Sequence, residues 1–223
     1  MQNALINEIF SGIQGEGPYI GEKQLFIRFC DCNLNCAYCD TDYSKQNGIE
    51  YTPDELYEVV KTYPPQTISL TGGEPLLWTN FLGEFLEKYS SKLGSIYLET
   101  NGTLPDELEK IVQYIDIVSM DIKLKSTCGE DIDHEVFDDF LSIAKNNTCS
   151  SIFSKVIFDN NINDAEINKV IKLAKRYDIL VVLQPKMPLD MSPDEMEEIF
   201  NKFYSKYYNI RLIPQTHKFL NLR

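Results

Sequence analysis

The chain is organised around residues 28–41, RFCDCNLNCAYCDT, which contain four of its six cysteines. Three of them, Cys32, Cys36 and Cys39, follow the spacing CxxxCxxC. Three thiolates from one short loop can bind an iron–sulfur cube and leave its fourth iron without a protein ligand. That iron is open to a small molecule, so the motif predicts a reactive centre rather than a structural one.

Other uses of these cysteines find less support in the rest of the sequence. Structural zinc normally has four nitrogen or sulfur ligands, and the remaining candidates show no second CxxC or HxxxH pattern. These candidates are Cys30, Cys128, Cys149, His134 and His217. A disulfide framework is typical of small secreted chains, whereas we expect no signal peptide in this chain of 223 residues. Cys30 lies in the apolar run QLFIRFC and is interpreted as a small core hydrophobe.

The composition argues against several classes of function. With 223 residues, 43% of them hydrophobic, we expect one globular domain over residues 1–223. No apolar run approaches the roughly 20 residues of a membrane span. The net charge of −13 argues against a nucleic-acid surface, because phosphate binding requires clustered Lys and Arg. We therefore expect a cytoplasmic protein that binds neither membrane nor nucleic acid.

From Thr52 onward, helix and strand patterns alternate. Thr52 and Ser192 each precede Pro-Asp-Glu, which combines an N-cap, a proline at the first helical position and a capping-box glutamate. The predicted helices begin near 52, 81, 105, 134, 163 and 192, and the predicted strands span 24–30, 67–71, 95–100, 115–120, 152–158 and 179–183. Strand-then-helix repetition predicts a parallel sheet with helical crossovers.

Polar segments follow the predicted strands. They read CNLNCAYCD, TGGEP, ETNG, SMDIK and LQPK. Ligands of parallel α/β folds bind at the carboxyl ends of the strands, so these segments predict a single pocket. Six or seven strands are too few for a closed eight-stranded barrel. The predicted fold class is therefore α/β, a partial (open) parallel β/α barrel.

The segment before this pattern, residues 7–23, contains four glycines and a proline and is predicted to form a loop. It either contacts a ligand or is an ordinary turn before the first strand. Arg28 interrupts the apolar strand that follows, and a buried guanidinium needs an anionic partner. A substrate carboxylate and a structural salt bridge are equally good candidates for that partner.

Tyr38 precedes the last cysteine of CxxxCxxC, and this combination resembles the cluster loop of the radical S-adenosylmethionine (SAM) superfamily. The opening NEIFSGIQGEGPYIGEKQLFIRF, the loop CNLNCAYCDT, TGGEP at residues 71–75 and the ending PQTHKFLNLR further resemble the 7-carboxy-7-deazaguanine synthase family. These matches cover essentially the whole chain. The resemblance implies a radical SAM core, with the cluster loop at residues 30–41 and a substrate-contacting tail at residues 211–223.

The resemblance implies a 4Fe–4S cluster on Cys32, Cys36 and Cys39, together with bound SAM. The other cofactor contacts that it implies are Tyr38, Asp40, Gly73, Glu74, Ser119, Asp121 and Lys123. It also implies Mg²⁺ at Thr41, an ion that usually takes one or two protein oxygens and completes its shell with water or substrate. From the residues alone, helix capping by Asp40 or Thr41 is the alternative.

The substrate contacts that the resemblance implies come from the start of the chain, the strand ends and the tail. They are Ile13, Gln14, Gly15, Glu16, Arg28, Thr71, Glu99, His217 and Arg223. Asn101 is a further pocket candidate, although ETNG also fits a strand end followed by a turn. His217 is one of only two histidines, and a structural role is its alternative.

The resemblance also implies a reaction in the biosynthesis of queuosine, catalysed by a carbon–nitrogen lyase. A 5′-deoxyadenosyl radical removes hydrogen from C6 of 6-carboxy-5,6,7,8-tetrahydropterin, and the ring contracts with loss of ammonia to give 7-carboxy-7-deazaguanine. No residue acts as a conventional catalytic nucleophile. A flavodoxin- or ferredoxin-type electron donor and a homodimer are implied as well.

Two other functions fit parts of the sequence. SMDIK, residues 119–123, looks more like radical SAM proteins of other function, and with the acidic surface it favours an activase that takes hydrogen from a partner protein's glycine. The cysteine loop alone also suits a non-catalytic iron–sulfur or zinc module. Formation of a deazapurine from the carboxypterin would distinguish the synthase from the activase. Iron content together with SAM cleavage would distinguish it from the non-catalytic module.

Overall fold

The computed structural model describes residues 2–39, 41, 43–147 and 150–222. In this part of the chain, nine strands form one sheet in the order β3-β1-β2-β4-β5-β6-β7-β8-β9. The strands are β1 (Ala4–Ile13), β2 (Lys23–Phe29), β3 (Ile49–Tyr51), β4 (Thr67–Gly72), β5 (Ile96–Thr100), β6 (Ile117–Asp121), β7 (Ser151–Phe158), β8 (Leu180–Pro185) and β9 (Ile210–Leu212). The α-helices are α1 (Pro53–Val60), α2 (Thr79–Tyr89), α3 (Pro105–Ile111), α4 (Lys125–Cys128), α5 (Glu135–Asn146), α6 (Asp164–Tyr177), α7 (Pro193–Tyr204) and α8 (Thr216–Leu220).

The sheet is mostly parallel and open. Every neighbouring pair from β2 to β9 runs parallel, whereas β1 is antiparallel to both β2 and β3. In the described part of the chain β3 and β9 form the two edges. The predicted α/β class and the open, partial parallel barrel are confirmed.

The prediction of a loop for residues 7–23 is wrong in its first half. Residues 4–13 form β1, which pairs with β2 from Ile6 opposite Phe29 to Ile13 opposite Lys23. The glycines suggested a loop, but Ala4, Ile6 and Phe10 bury their side chains against the sheet, and that burial decides the conformation. The loop is confined to the residues between β1 and β2.

The predicted helix starts are confirmed in detail at both capping boxes. Thr52 and Ser192 each accept a hydrogen bond from the backbone of the glutamate three residues later, and that glutamate bonds back to the cap. Asn163 and Glu166 form a third box at the start of α6. Each box satisfies backbone N–H groups that the first helical turn leaves without partners.

The apolar core lies between the sheet and its helices. The helices contribute large buried side chains such as Phe85, Phe137 and Phe140. Cys30 is completely buried among core residues, which confirms its interpretation as a core hydrophobe. None of the described helices is both long and apolar enough to cross a membrane.

A second, smaller cluster closes the inside of the barrel at the amino ends of the strands. Tyr97, Ile117, Phe153 and Val182 pack together there, and Tyr19 lies against Tyr97 and Phe153. Because side chains alternate along a strand, the residues two positions further along point into the same interior. The interior on the carboxyl-end side of this cluster is therefore lined by the strand residues two positions further along.

Candidate functional site

A cavity of about 220 Å³ lies at the carboxyl ends of the parallel strands. It is lined from the strand ends, the cluster loop, the turn after β1 and the tail. The predicted site residues that line it are Ile13, Gln14, Gly15, Glu16, Arg28, Cys32, Cys36, Tyr38, Cys39, Thr41, Thr71, Gly73, Glu99, Asn101, Asp121, Lys123 and His217. Glu74 and Ser119 do not line it, and Asp40 and Arg223 lie outside the described residues. The structure thus gathers segments far apart in sequence into one site.

The three cysteines of CxxxCxxC are unbridged thiols facing this cavity. Cys32 and Cys36 are half-buried, and Cys39 is exposed. Burial raises the pKa of Cys32, while a hydrogen bond with Cys128, reinforced by burial, raises the pKa of Cys36. Among the described residues, no three His, Cys, Asp or Glu side chains are grouped so as to hold a metal ion.

The donor set of the loop fits an iron–sulfur cluster. Such clusters take thiolate ligands, and the three thiols share one cavity with the buried ammonium of Lys123. The positive charge of Lys123 favours the thiolates of Cys32 and Cys36, although the other effects outweigh it and raise both pKa values. Residues 128 and 130 keep the loop in place, because Ala37 N donates to the backbone oxygen of Cys128 (2.9 Å) and Asn35 N donates to the side-chain Oε1 of Glu130 (3.2 Å).

The two glycines of TGGEP let the end of β4 pack directly on the end of β2. Gly72 has φ +127°, and a Cβ on Gly72 or Gly73 would overlap the backbone of Phe29 or Asp31. The N–H groups of Gly73 and Glu74 donate to Phe29 O (3.0 Å) and Asp31 O (2.8 Å). Both N–H groups therefore have partners within the protein.

Glu74, predicted to contact the cofactor, instead braces the strand ends. Its side chain is 0% exposed. Its carboxylate accepts hydrogen bonds from Leu76 N (3.0 Å), Thr100 Oγ1 (2.9 Å) and Asn101 N (2.8 Å). Burial raises the pKa of Glu74 to about 7, against the lowering effect of these donors. The carboxylate therefore fixes the ETNG segment from behind the cavity wall.

The SMDIK segment divides between buried and cavity positions. Ser119 is 0% exposed and does not line the cavity, so its predicted direct contact with SAM finds no support in the structure. Lys123 Nζ lies 2.9 Å from Asp121 Oδ2 and 5.3 Å from the centre of the Tyr38 ring. Burial opposes its charge, but Asp121 and Tyr38 outweigh burial and raise the pKa of Lys123. A charged pair thus faces the cysteines.

Arg28 satisfies one of its two predicted roles and is available for the other. Its Nε lies 3.1 Å from Glu8 Oε2, and its guanidinium lies over the ring of Phe10. The structural salt bridge is therefore present. Arg28 also lines the cavity, next to Thr71, its partner in the register of β2 and β4.

An amide and hydroxyl network joins the turn after β1 to β4 and β5. Glu99 accepts hydrogen bonds from Gln14 Nε2 (3.0 Å) and Thr71 Oγ1 (2.8 Å). Gln14 Nε2 also donates to Gln24 Oε1 (3.2 Å), and its own Oε1 accepts from Glu16 N (3.1 Å). The network fixes three predicted substrate contacts relative to one another.

The tail motif QTHK packs on the IQGEG turn. Thr216 N donates to Gly15 O (2.9 Å), and the ring of His217 lies so close to Gly15 that a Cβ there would overlap it. Gln215 Nε2 donates to Glu16 Oε1 (2.7 Å). Gly15 is thus required by the close approach of the tail, and both motifs form one wall of the cavity.

The cavity residues that were not predicted from the sequence include Lys155, Lys186 and Gln215. Lys155 carries a signal that was available in the sequence, because it interrupts an apolar strand just as Arg28 does. A charge at a buried strand position requires a partner, and the partners of Lys155 are Glu16 and Asp121. Gln215 has no such signal, since its role depends on where the tail folds.

Comparison with known proteins agrees with this geometry. The family model of the radical SAM superfamily matches residues 26–203. A 7-carboxy-7-deazaguanine synthase from Methanothermobacter thermautotrophicus is 33% identical, over 100% of this chain and 99% of the relative. Relatives of the same name from Geobacter sulfurreducens and Archaeoglobus fulgidus are 33% and 32% identical, each over 97% of this chain and 97% of the relative.

Solved structures share the fold. QueE from Escherichia coli superposes with a TM-score of 0.67 at 20% identity, over 96% of this chain and 95% of that one. A TYW1 structure with a lysine–pyruvate adduct bound has a TM-score of 0.58 at 18% identity, over 83% and 75% of the two chains. At these identities the likeness concerns the architecture alone.

Proposed function

The chain belongs to the radical SAM superfamily and, within it, to the 7-carboxy-7-deazaguanine synthases, and from that premise we propose that it converts 6-carboxy-5,6,7,8-tetrahydropterin to 7-carboxy-7-deazaguanine with loss of ammonia. The product is a deazapurine on the route to queuosine. The relatives that carry this name are matched over essentially their whole length, so the proposal concerns the entire reaction.

One observation supports the proposal above all others. The three thiols of the cluster motif line the same cavity as Arg28, Glu99 and His217. A cluster-bound reagent and a small anionic substrate would therefore meet in one enclosed space. A redox module without a substrate has no need for the second set of residues.

Two cofactors are part of the proposal. When bound, a 4Fe–4S cluster on Cys32, Cys36 and Cys39 and its SAM supply a carbon radical that can remove a hydrogen atom from the substrate. Lys123 and Asp121, which form an ion pair on the cavity wall beside the cysteines, are the proposed SAM contacts. The contribution of the chain is to orient both partners and to exclude water.

The substrate half of the cavity supplies complementary polar groups. Arg28 uses Nε on Glu8, and we propose that its terminal nitrogens bind the substrate carboxylate, since a guanidinium binds carboxylates through paired N–H groups. Glu99 orients Gln14 and Thr71 toward the pterin ring, and His217 closes the cavity from the tail. Positioning of this kind can supply a large part of a rate enhancement.

The proposal extends to a metal ion, an electron donor and the assembly of the protein. Thr41 lines the cavity next to Cys39, and we propose that it binds Mg²⁺ together with oxygens of the substrate. A flavodoxin- or ferredoxin-type protein would supply the electron, and the active form would be a cytoplasmic homodimer of single-domain chains.

Anaerobic reconstitution followed by a single incubation tests the reaction. The protein should bind four irons per chain, and with a reductant, SAM and the carboxypterin it should yield 5′-deoxyadenosine and a deazapurine identified by mass and ultraviolet spectrum. For any variant that lacks one of the three cluster cysteines, Cys30→Ala is the matched control, because Cys30 lies in the core outside the cluster motif.

The alternatives give different results in the same incubation. An activase would cleave SAM and form no deazapurine. A structural module would bind zinc or iron and cleave no SAM. Either result would refute the synthase.

The magnesium site has its own test. Thr41→Ala should raise the Mg²⁺ concentration needed for half-maximal deazapurine formation, and it should leave SAM cleavage without pterin unchanged. Thr62→Ala, at the end of α1 with its hydroxyl bonded to Val59 O, is the control. An unchanged Mg²⁺ dependence in Thr41→Ala would remove Thr41 from the metal site.

A further inference from the structure

Lys155 is a buried ammonium to which the proposed reaction gives no role. It lies in the middle of β7, is 5% exposed and lines the cavity. Its Nζ is 2.6 Å from Glu16 Oε2 and 3.4 Å from Asp121 Oδ1. It therefore connects the turn after β1 to the end of β6.

Glu16 uses both carboxylate oxygens on protein partners. Oε2 pairs with Lys155, and Oε1 accepts from Gln215 Nε2 at 2.7 Å. Glu16 is consequently a bridge, with the barrel on one side and the tail on the other. Glu16 also lines the cavity, so this structural role stands beside its predicted substrate contact.

Part of the tail rests on this bridge. Gln215, Thr216 and His217 each contact Gly15 or Glu16, whereas Ile213 N, just before them, donates to Leu183 O of β8 (3.0 Å). Polar side chains connect the turn that carries Gly15 and Glu16 to the barrel at two places. Gln14 donates to Glu99 and Gln24, and Glu16 pairs with Lys155. Removing the pair of Glu16 and Lys155 should loosen the turn and the part of the tail that contacts it.

The charges around Lys155 imply that its loss affects Glu16 more than Asp121. Burial opposes ionisation of Glu16, but Lys155 outweighs burial and, with Gln215, lowers the pKa of Glu16 to about 2. The pair is therefore charged at neutral pH. Without Lys155, Asp121 keeps the ammonium of Lys123 at 2.9 Å, whereas the carboxylate of Glu16 keeps the neutral amide of Gln215. An uncompensated buried carboxylate is strongly unfavourable, so the loss of Lys155 destabilises the turn and the tail.

We propose that Lys155 is a positioning residue for the substrate half of the cavity. It holds Glu16 in place and, through Glu16, the tail residues Gln215 and His217 at the edge of the pterin site. The identity of the substrate in this inference rests on the proposed function, whereas the mechanical part does not. Loss of Lys155 weakens binding of the pterin more than binding of SAM, because Asp121 keeps Lys123 as a second partner.

Hydrogen exchange of the reconstituted, substrate-free protein tests the mechanical part. Lys155→Met should raise exchange in residues 14–22 and 213–222 by about tenfold, while Lys155→Arg should restore most of the protection. The matched control is Lys125→Met, which removes an exposed lysine paired with Asp131 at 2.6 Å. The control should leave exchange in both segments unchanged.

Kinetics test the consequence for the reaction. Lys155→Met should raise the KM for the carboxypterin about tenfold and should raise the KM for SAM far less. It should also release more 5′-deoxyadenosine per deazapurine formed. A parallel rise in both KM values, or unchanged tail exchange, would overturn the proposal.

A double variant shows whether charge compensation is the cause. Glu16→Gln removes the carboxylate that needs a counter-ion, so Glu16→Gln with Lys155→Met should exchange less in the tail than Lys155→Met alone. If Lys155→Met does not fold, the double variant compared with Glu16→Gln alone gives the answer. Because exchange needs no turnover, a loosened tail in a protein that makes no deazapurine would uphold this inference and refute the proposed function.

Discussion

The two halves of the cavity are held in place by different interactions. The described part of the cluster loop, residues 30–39 and 41, is kept in position by backbone hydrogen bonds and by hydrogen bonds with the side chains of Asn101 and Glu130. Its ion pair, between Lys45 and Asp31, has side chains that are 60% and 39% exposed. The turn at residues 14–17 is held by a nearly buried ion pair and an amide network. The substrate half is therefore fixed by folding alone.

This difference follows from what each half must bind. The raised pKa values of Cys32 and Cys36 keep these thiols protonated in the absence of metal, so the loop gains its main anchor only when metal replaces the protons. The substrate half binds a rigid, small molecule and gains from preorganisation. Four changes test the comparison, and they are ordered here from the largest expected effect to the smallest.

Loss of a cluster ligand should have the largest effect. Cys36→Ala should prevent assembly of the cluster and reduce SAM cleavage by about three orders of magnitude or more, because the reaction has no other source of the radical. Iron content and 5′-deoxyadenosine release measure this. In the wild type, cluster loading should protect residues 31–39 from hydrogen exchange and leave residues 14–17 unchanged. Equal protection of both segments would contradict the comparison.

The next effect concerns pH and the two buried carboxylates. The pKa of Glu74 is raised from 4.5 to about 7, so its contribution to stability is complete below pH 4.5 and is lost as pH rises through 7, a change of about 3 kcal/mol. The pKa of Glu16 is lowered to about 2, so its contribution is present above pH 4.5 and is lost as pH falls toward 2.

Denaturant unfolding at several pH values separates these contributions. Glu74→Gln should abolish the loss of stability between pH 4.5 and 7, and Glu16→Gln should abolish the loss between pH 4.5 and 2. The two variants serve as controls for each other. If both variants gave the same dependence of stability on pH, Glu74 and Glu16 would not be electrostatically independent.

Arg28 should give a smaller, purely kinetic effect. Arg28→Met should raise the KM for the carboxypterin by about 30-fold, the value of one charge-assisted hydrogen bond of about 2 kcal/mol, and leave SAM cleavage without pterin unchanged. Glu8→Gln keeps the guanidinium and should change the KM far less. Equal losses in the two variants would assign Arg28 to the salt bridge alone.

The exposed pair of the cluster loop should give the smallest effect. Lys45→Met should change the free energy of unfolding by less than about 1 kcal/mol, because an ion pair in solvent is screened and mobile. Thermal or denaturant unfolding of the apoprotein measures it. A larger loss would mean that the cluster loop is anchored by charge as firmly as the substrate turn.

The amino-acid sequence predicted the local features well, and its errors share a cause. Capping boxes at Thr52 and Ser192 depend on residues within one helical turn, so they can be seen in the chain. Glu74 and Ser119 belong to motifs at the correct edge of the sheet, but both side chains are completely buried and do not line the cavity. How deeply such a side chain is buried depends on the segments that pack over it, and these lie far away in the sequence.

Arg28 and Lys155 show the same limit in another form. Both are charges in apolar strands, and the sequence alone requires a partner for each. The partner of Lys155 lies 139 residues away, on a turn brought to it by the pairing of β1 with β2. Composition suggested a loop there, because the burial that stabilises β1 exists only in the folded sheet.

The sequence by itself determined the alternation of strands and helices, the cluster motif and the edge of the sheet where we propose that the chemistry occurs. Each of these features depends on residues that are close together in the sequence. Only the tertiary structure decided that Glu74 braces the wall, that Glu16 joins Lys155 to the tail, and that His217 closes on Gly15. These are contacts between distant segments, and their energies depend on burial and exclusion of water, which arise only when the whole sheet has formed.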